Sequence, residues 1–158
     1  MINANVTWNR GLSFTGSADS GFKVSLGGGT DIGGANDGFR PLELMAISLA
    51  GCTAMDVISI LEKKRQIVTG FEVKVHADCS DQHPKILTRA DIIYKVTGEA
   101  VDESAVVRSI ELSATKYCPA QAMLGKILPI DLLYEIYEET GNGNSRLVKQ
   151  GKYLPAEI

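Results

Sequence analysis

Pro41-Leu42-Glu43-Leu44-Met45-Ala46-Ile47-Ser48-Leu49-Ala50-Gly51-Cys52-Thr53-Ala54-Met55-Asp56-Val57-Ile58-Ser59-Ile60-Leu61-Glu62-Lys63-Lys64 is the stretch whose reading decides the fold. Pro41 stands where a first helical turn has no use for the missing N–H. Lys63, Lys64 and Arg65 stand where cations complement the negative end of a helix dipole. The segment therefore reads as one long helix. From Leu42 to Leu61 it is apolar on nearly every side, and its length approaches the ~20 residues needed to span a bilayer. Glu43, Ser48, Thr53, Asp56 and Ser59 interrupt it, and several other members are only Ala or Gly. That mixture suits a helix fully buried in protein rather than in lipid, so no membrane partner is expected. A helix apolar all round needs more cover than one small chain supplies, which points to a dimer that sandwiches it.

Working outward, Ala4, Val6 and Trp8 alternate with Asn5, Thr7 and Asn9, which predicts a strand. Leu12 to Thr15 and Phe22 to Leu26 read as two more, separated by Gly and Ser turns. Gly27-Gly28-Gly29-Thr30-Asp31-Ile32-Gly33-Gly34 is too glycine-rich for regular structure and reads as a flexible lid or linker. After the long helix, Phe71 to Ala77 and Ile86 to Val96 alternate around a turn at Asp81-Gln82-His83-Pro84. Asp102 and Glu103 open an amphipathic helix carrying Val106, Val107, Ile110 and Ala114 on a helical period. Pro119 starts a short helix ending near Gly125, and Leu132 to Tyr137 reads as a last strand. From Gly141 onward the chain is polar and reads as a loosely held tail, with Leu147 and Tyr153 free to dock. The order βββ-α-ββ-α-α-β predicts an α+β fold with antiparallel strands, since short turns join neighbouring strands.

The 158 residues suit one domain, placed at 1–140 with the tail at 141–158. A hydrophobic fraction of 44%, a charged fraction of 22% and a net charge of −3 describe an ordinary soluble chain with no basic surface for nucleic acid. The first residues show neither a positive n-region nor an apolar h-region, and the three cysteines are an odd number. Both features point to a reducing, cytoplasmic compartment rather than a secreted disulfide framework.

Cys118 directly precedes Pro119 and so caps the helix that Pro119 opens. Unpaired N–H groups and the positive dipole end face its sulfur, which favours thiolate relative to the free-thiol pKa of about 8.5. Lys116 adds to this. The competing reading is a buried cysteine that caps a helix without chemistry. Cys52 lies mid-helix after Ala50-Gly51, whose small side chains leave room for another backbone or a small substrate. Taken alone it reads as a packed core thiol, and its own helix offers nothing to lower its pKa. An activating cation must then come from another segment, and Arg10 and Arg40 are the arginines on glycine-flanked stretches. Glu43, in the first helical turn, suits the dipole without any further role. On one straight helix it is roughly 13–14 Å from Cys52 and on the opposite side, so it serves Cys52 only from a partner subunit or through a rearranged helix start. His76, Cys79 and His83 resemble half of a metal site, but strand alternation and the lack of a fourth ligand argue against zinc. The glycine loop lacks the Gly-Lys-Ser/Thr ending of a phosphate cradle, and no nucleophile elbow is present.

At Arg40-Pro41-Leu42-Glu43-Leu44-Met45-Ala46-Ile47-Ser48-Leu49-Ala50-Gly51-Cys52 the chain resembles the OsmC/Ohr family, in which Pro opens the central helix and Cys follows a run of small residues. Lys116-Tyr117-Cys118-Pro119-Ala120 is similar to the family's second, Cys-Pro motif. The resemblance covers residues 1 to about 138 and implies an OsmC-like fold: an intertwined homodimer with antiparallel sheets wrapped around a long buried central helix. It also implies a thiol-dependent peroxidase. Cys52 attacks an organic hydroperoxide, Cys118 resolves the sulfenic acid to a disulfide, and a dithiol such as a lipoylated protein restores both thiols. No cofactor or metal is implied.

In the peroxidase branches a Glu immediately follows the Pro, whereas here Leu42 takes that place and Glu43 comes one residue later, about 100° around the helix. This Pro-x-Glu arrangement is similar to the YhfA-like branch. The family's arginine maps onto Arg10. The expected site is therefore Cys52, Cys118, Arg10 and Glu43. The competing expectation is a dimeric redox-sensing or small-molecule-binding thiol protein with little turnover.

Overall fold

Alternation and turn chemistry shape the first of two compact units, residues 1–45, in a computed structural model that describes residues 1–154. Strands β1 (Ala4–Arg10), β2 (Ser13–Ala18) and β3 (Lys23–Leu26) form an antiparallel meander in that order. Gly11, with φ +48°, makes the β1–β2 turn in a backbone region that glycine enters without strain. Trp8 sits opposite Phe14, and Trp8 Nε1 donates to the Gly11 carbonyl at 3.0 Å.

The glycine loop is more ordered than its composition predicts. Gly34 N–H donates to Gly29 O at 2.8 Å, Asn36 N–H to Gly28 O at 3.1 Å and Gly27 N–H to Phe39 O at 3.1 Å. A Cβ on Gly34 would lie 2.2 Å from the Gly28 carbonyl oxygen, so the glycine is needed for close backbone approach rather than for looseness.

The second unit, residues 46–158, holds the main core. Its sheet runs β4 (Ile67–Cys79), β5 (Leu87–Glu99), β6 (Ile130–Gly141) and β7 (Asn144–Tyr153), in that spatial order. β4–β5 and β6–β7 are antiparallel, but β5–β6 runs parallel. The connection between β5 and β6 explains this departure from the antiparallel expectation. It carries α2 (Glu103–Leu112), a π-helical turn (Ser113–Tyr117) and α3 (Pro119–Leu124), the kind of helical crossover that a parallel pair needs. Asp102 caps α2, its carboxylate accepting from Ser104 N–H at 2.9 Å.

The core lies between one face of this sheet and the helices. Ile92, Tyr94 and Val96 alternate inward from β5, and Leu132, Tyr134 and Ile136 from β6. They meet Ala105, Val106 and Ile110 of α2 and Leu49, Val57 and Leu61 of the long helix α1 (Pro41–Lys63). The α1 residues that this chain buries are Leu49, Thr53, Val57 and Leu61, a single stripe at four-residue spacing. Met45, Ile47 and Met55 are 44%, 49% and 70% exposed. The expected full burial of α1 is therefore not achieved within one chain, although α1 does have the length and apolar composition of a membrane-crossing helix.

The stretch after Gly141, expected to be a loose tail, is instead strand β7, paired along β6 from Leu132↔Tyr153 to Gly141↔Asn144. Gly141, Asn142 and Gly143 all adopt positive φ and close this hairpin. The tail expectation for residues 155–158 lies outside the described residues.

Candidate functional site

Two helix positions bring the site together. On α1, Cys52 immediately precedes Thr53 of the buried stripe, so it sits half-buried beside the core. Cys118 lies between the π-helical turn and α3. Its N–H closes that turn by donating to Ser113 O at 2.9 Å, and its extended backbone (φ −78°, ψ 104°) makes it the cap of α3. A π-type turn accommodates one extra residue per turn, which is how such features re-aim a side chain at functional positions. The result places Cys118 Sγ 3.1 Å from Cys52 Sγ. Both thiols are free, and the sulfurs stand about 1 Å beyond a covalent S–S bond of ~2.05 Å.

The electrostatics of Cys118 reverse the expectation drawn from its capping position. Its sulfur does accept from Gln121 N–H at 3.4 Å. However, the residue is only 2% exposed, and burial pushes the thiol up to about 11, against the pull of the Gln121 and Ala120 N–H groups. The adjacent Cys52 sulfur pushes it in the same direction as burial. Desolvation of the anion outweighs the helix start, where Pro119 has no N–H and the Ala120 and Gln121 N–H groups pull the other way. Cys118 therefore keeps its proton at neutral pH, and its S–H is the donor toward Cys52 Sγ.

Beneath the sulfur pair lies a polar cluster that the sequence analysis missed. Thr53 Oγ1, fully buried, is 2.7 Å from Tyr94 OH and 2.8 Å from Ser113 Oγ, and it accepts from Gln121 Nε2 at 2.9 Å. Ser113 Oγ donates to Asp56 Oδ2 at 3.0 Å, and Gln121 Nε2 also reaches Tyr94 OH at 3.3 Å. Burial raises the Tyr94 phenol above its ordinary range. Among the described residues no buried side-chain nitrogen or oxygen lacks a partner. The available sequence signal was that Thr53 and Asp56 occupy polar positions at i, i+3 inside an apolar helix, next to Cys52.

The other expected site residues belong to the first unit. Arg10 ends β1 and is exposed. The Glu43 carboxylate accepts from the Arg40 backbone N–H at 2.9 Å, which closes the start of α1 in the manner of a capping box. The Arg40 guanidinium donates to Asn36 Oδ1 and to Gly38 O. The ion pairs among the described residues include neither Arg10 nor Glu43. Cys79 is exposed at the end of β4, and the described residues contain no His, Cys, Asp and Glu grouping that could hold a metal ion.

Comparison with known proteins agrees with this architecture. Residues 34–132 match the family model for OsmC-like protein. Protein YhfA of Escherichia coli K12 is 35% identical over 135 residues, which is 85% of this chain and 98% of YhfA. The crystal structure of a hypothetical protein from Aquifex aeolicus VF5 is similar with a TM-score of 0.78 at 26% identity, covering 88% of this chain and 98% of that one. An organic hydroperoxide resistance protein from Elizabethkingia anophelis shares the fold with a TM-score of 0.66 at 16% identity, over 88% of this chain and 96% of its own.

Proposed function

We propose, from the premise that this chain belongs to the OsmC-like protein family, that it is a thiol peroxidase for organic hydroperoxides. The observation that carries this reading is the 3.1 Å approach of Cys118 Sγ to Cys52 Sγ. Cys52 is the half-buried sulfur and the hydrogen-bond acceptor of the pair, which supports the reading of Cys52 as the attacking thiol.

As a thiolate, Cys52 displaces the O–O bond of the hydroperoxide. It takes one oxygen as sulfenic acid and releases an alkoxide that is protonated to the alcohol. The Cys118 thiol then attacks the Cys52 sulfur, forming the disulfide and releasing water. An external dithiol reduces that disulfide by exchange and becomes a disulfide itself. A lipoylated protein has the chemistry of such a reductant. Arg10 and Glu43 keep, as part of this proposal, the role of tuning Cys52 that the family resemblance implies.

The proposal includes a cytoplasmic homodimer in stress defence. Two copies packing along α1 would cover Met45, Ile47 and Met55, and a Cβ on Gly51 would meet nothing within 4 Å in the single chain. The test is consumption of cumene hydroperoxide with a dithiol reductant. Turnover is expected in the unaltered protein and is lost in Cys52→Ser; normal turnover by Cys52→Ser refutes the proposal. The engagement of Glu43 in capping α1 favours a second reading, a redox-sensing or binding protein with little turnover. A stoichiometric Cys52–Cys118 disulfide without multiple turnovers identifies that case.

A further inference from the structure

We propose that Gln121 is a positioning residue for the sulfur pair, held in place by a one-way chain of buried hydroxyls that ends on Asp56. The inference rests on the reading that Cys52 and Cys118 act together. Gln121 reaches both sides of the site, through its backbone on one and its side chain on the other. Its backbone N–H donates to Cys118 Sγ at 3.4 Å, and its side-chain Nε2 donates at 2.9 Å to Thr53 Oγ1, on the residue next to Cys52. Ser113 closes the other side of Cys118. Its carbonyl accepts the Cys118 N–H at 2.9 Å, while its hydroxyl lies 2.8 Å from the same Thr53 oxygen.

The direction of every bond in the cluster follows from counting hydrogens. A hydroxyl has one hydrogen and two lone pairs, and an ionised carboxylate only accepts. Ser113 spends its hydrogen on Asp56 Oδ2, so it must accept from Thr53. Thr53 has then spent its own hydrogen, so Tyr94 donates to Thr53. The Thr53 oxygen is left with one acceptor site, and the Tyr94 oxygen is also free to accept. Gln121 Nε2 donates toward both places, its closer contact being to Thr53.

The chain thus runs from Gln121 through Tyr94, Thr53 and Ser113 to Asp56, and it fixes which end of the Gln121 amide faces inward. A side chain that only accepts cannot replace it. With donors and acceptors matched, α3 has little freedom to rotate away from α1. Cys118 is therefore presented to Cys52 in the alignment that closing the last ångström of an S–S bond requires.

The test separates reaction at Cys52 from closure by Cys118 and does not depend on hydroperoxide turnover. In a Cys79→Ser background, which removes the exposed third thiol, the protein is mixed with the symmetric disulfide of thionitrobenzoate. Cys52 thiolate attacks one sulfur, forms a mixed disulfide and releases one coloured thiolate. Cys118, losing its proton to solvent, then attacks the Cys52 sulfur, forms the intramolecular disulfide and releases the second thiolate. The first release scales with reagent concentration, whereas the second does not.

Gln121→Ala, Gln121→Glu and Tyr94→Phe are expected to slow the second release by at least about tenfold while the first stays within about twofold. Thr53→Ser, which keeps the hydroxyl, is expected to close at the unaltered rate. Closure at the unaltered rate in Gln121→Ala and Tyr94→Phe overturns the proposal, as does an equal slowing of both releases. Should Gln121→Ala not fold, Tyr94→Phe, which removes a single oxygen, decides the matter. A background protein that never releases a second thiolate overturns the Cys52–Cys118 pairing itself, a different result from normal closure in the variants.

Discussion

Replacing Thr53 by valine keeps the shape of the side chain and deletes the oxygen on which the buried cluster converges. Three hydrogen bonds disappear, to Tyr94, Ser113 and Gln121. Their consequences differ. Ser113 still has Asp56, and Gln121 Nε2 still has the Tyr94 oxygen. The Tyr94 hydroxyl, in contrast, loses the acceptor for its only hydrogen at a residue of the fully buried core. An unsatisfied buried donor costs about 1–3 kcal/mol, and each of the two other lost bonds costs about 1 kcal/mol. The new methyl group offsets about 1 kcal/mol by burial. The net expectation is a destabilisation of about 3 kcal/mol. At about 2–4 °C per kcal/mol for a chain of this size, it lowers Tm by about 6–12 °C. Urea unfolding under a reducing thiol, followed by circular dichroism, measures this, with Thr53→Ser as the control. The serine variant retains all three bonds and is expected to lose only about 1 kcal/mol. A Thr53→Val protein within 0.5 kcal/mol of the unaltered one would show that the cluster does not hold α1, α3 and β5 together, and the reasoning would fall.

Stability depends on pH in the alkaline range through Cys118. Its folded-state pKa of about 11 lies above that of a free thiol, so between about 9 and about 11 the unfolded chain sheds a proton that the folded chain retains. Stability is therefore expected to fall as pH rises through that window, and Cys118→Ala should flatten the fall; identical pH profiles for the two proteins refute it. Asp102→Ala removes the cap of α2 and should cost about 1 kcal/mol in urea unfolding, with no loss for Asp102→Asn. Ending the chain after Gly141 removes β7 and bares the edge of β6 along Leu132, Tyr134 and Ile136. Light scattering should then report association into species larger than those of the longer chain, and an unchanged scattering mass refutes it.

The elements legible in the sequence were those with strong local signals. Pro41 and the basic cluster at Lys63 bracketed α1 to within a residue, and alternation located β1, β4, β5 and most of β6. Strand β7 was missed because its residues are mostly polar and exposed, as suits an edge strand, although Gly141-Asn142-Gly143 carried the hairpin signal. The parallel β5–β6 pair was not legible, because pairing direction depends on how the crossover packs and not on the pattern of either strand. Both cysteines stood out by motif. The cap at Cys118 is legible as a cap, and its N–H groups do pull the thiol down, but the burial that outweighs them is not legible in the sequence.

What the sequence determined by itself was therefore which residues are the candidates: two thiols, each in a distinctive local setting, on a chain of OsmC-like pattern. Only the tertiary structure decided how they stand to each other. It brings Cys52 and Cys118 together across 66 positions of chain at 3.1 Å. It buries Cys118 deeply enough to hold its proton, and it assembles Thr53, Asp56, Tyr94, Ser113 and Gln121 from four separate elements beneath the pair. The physical reason is that reactivity and bond direction follow from desolvation and from the hydrogen-bond partners that surround a group. Those partners come from segments far apart in the chain, which no local pattern encodes.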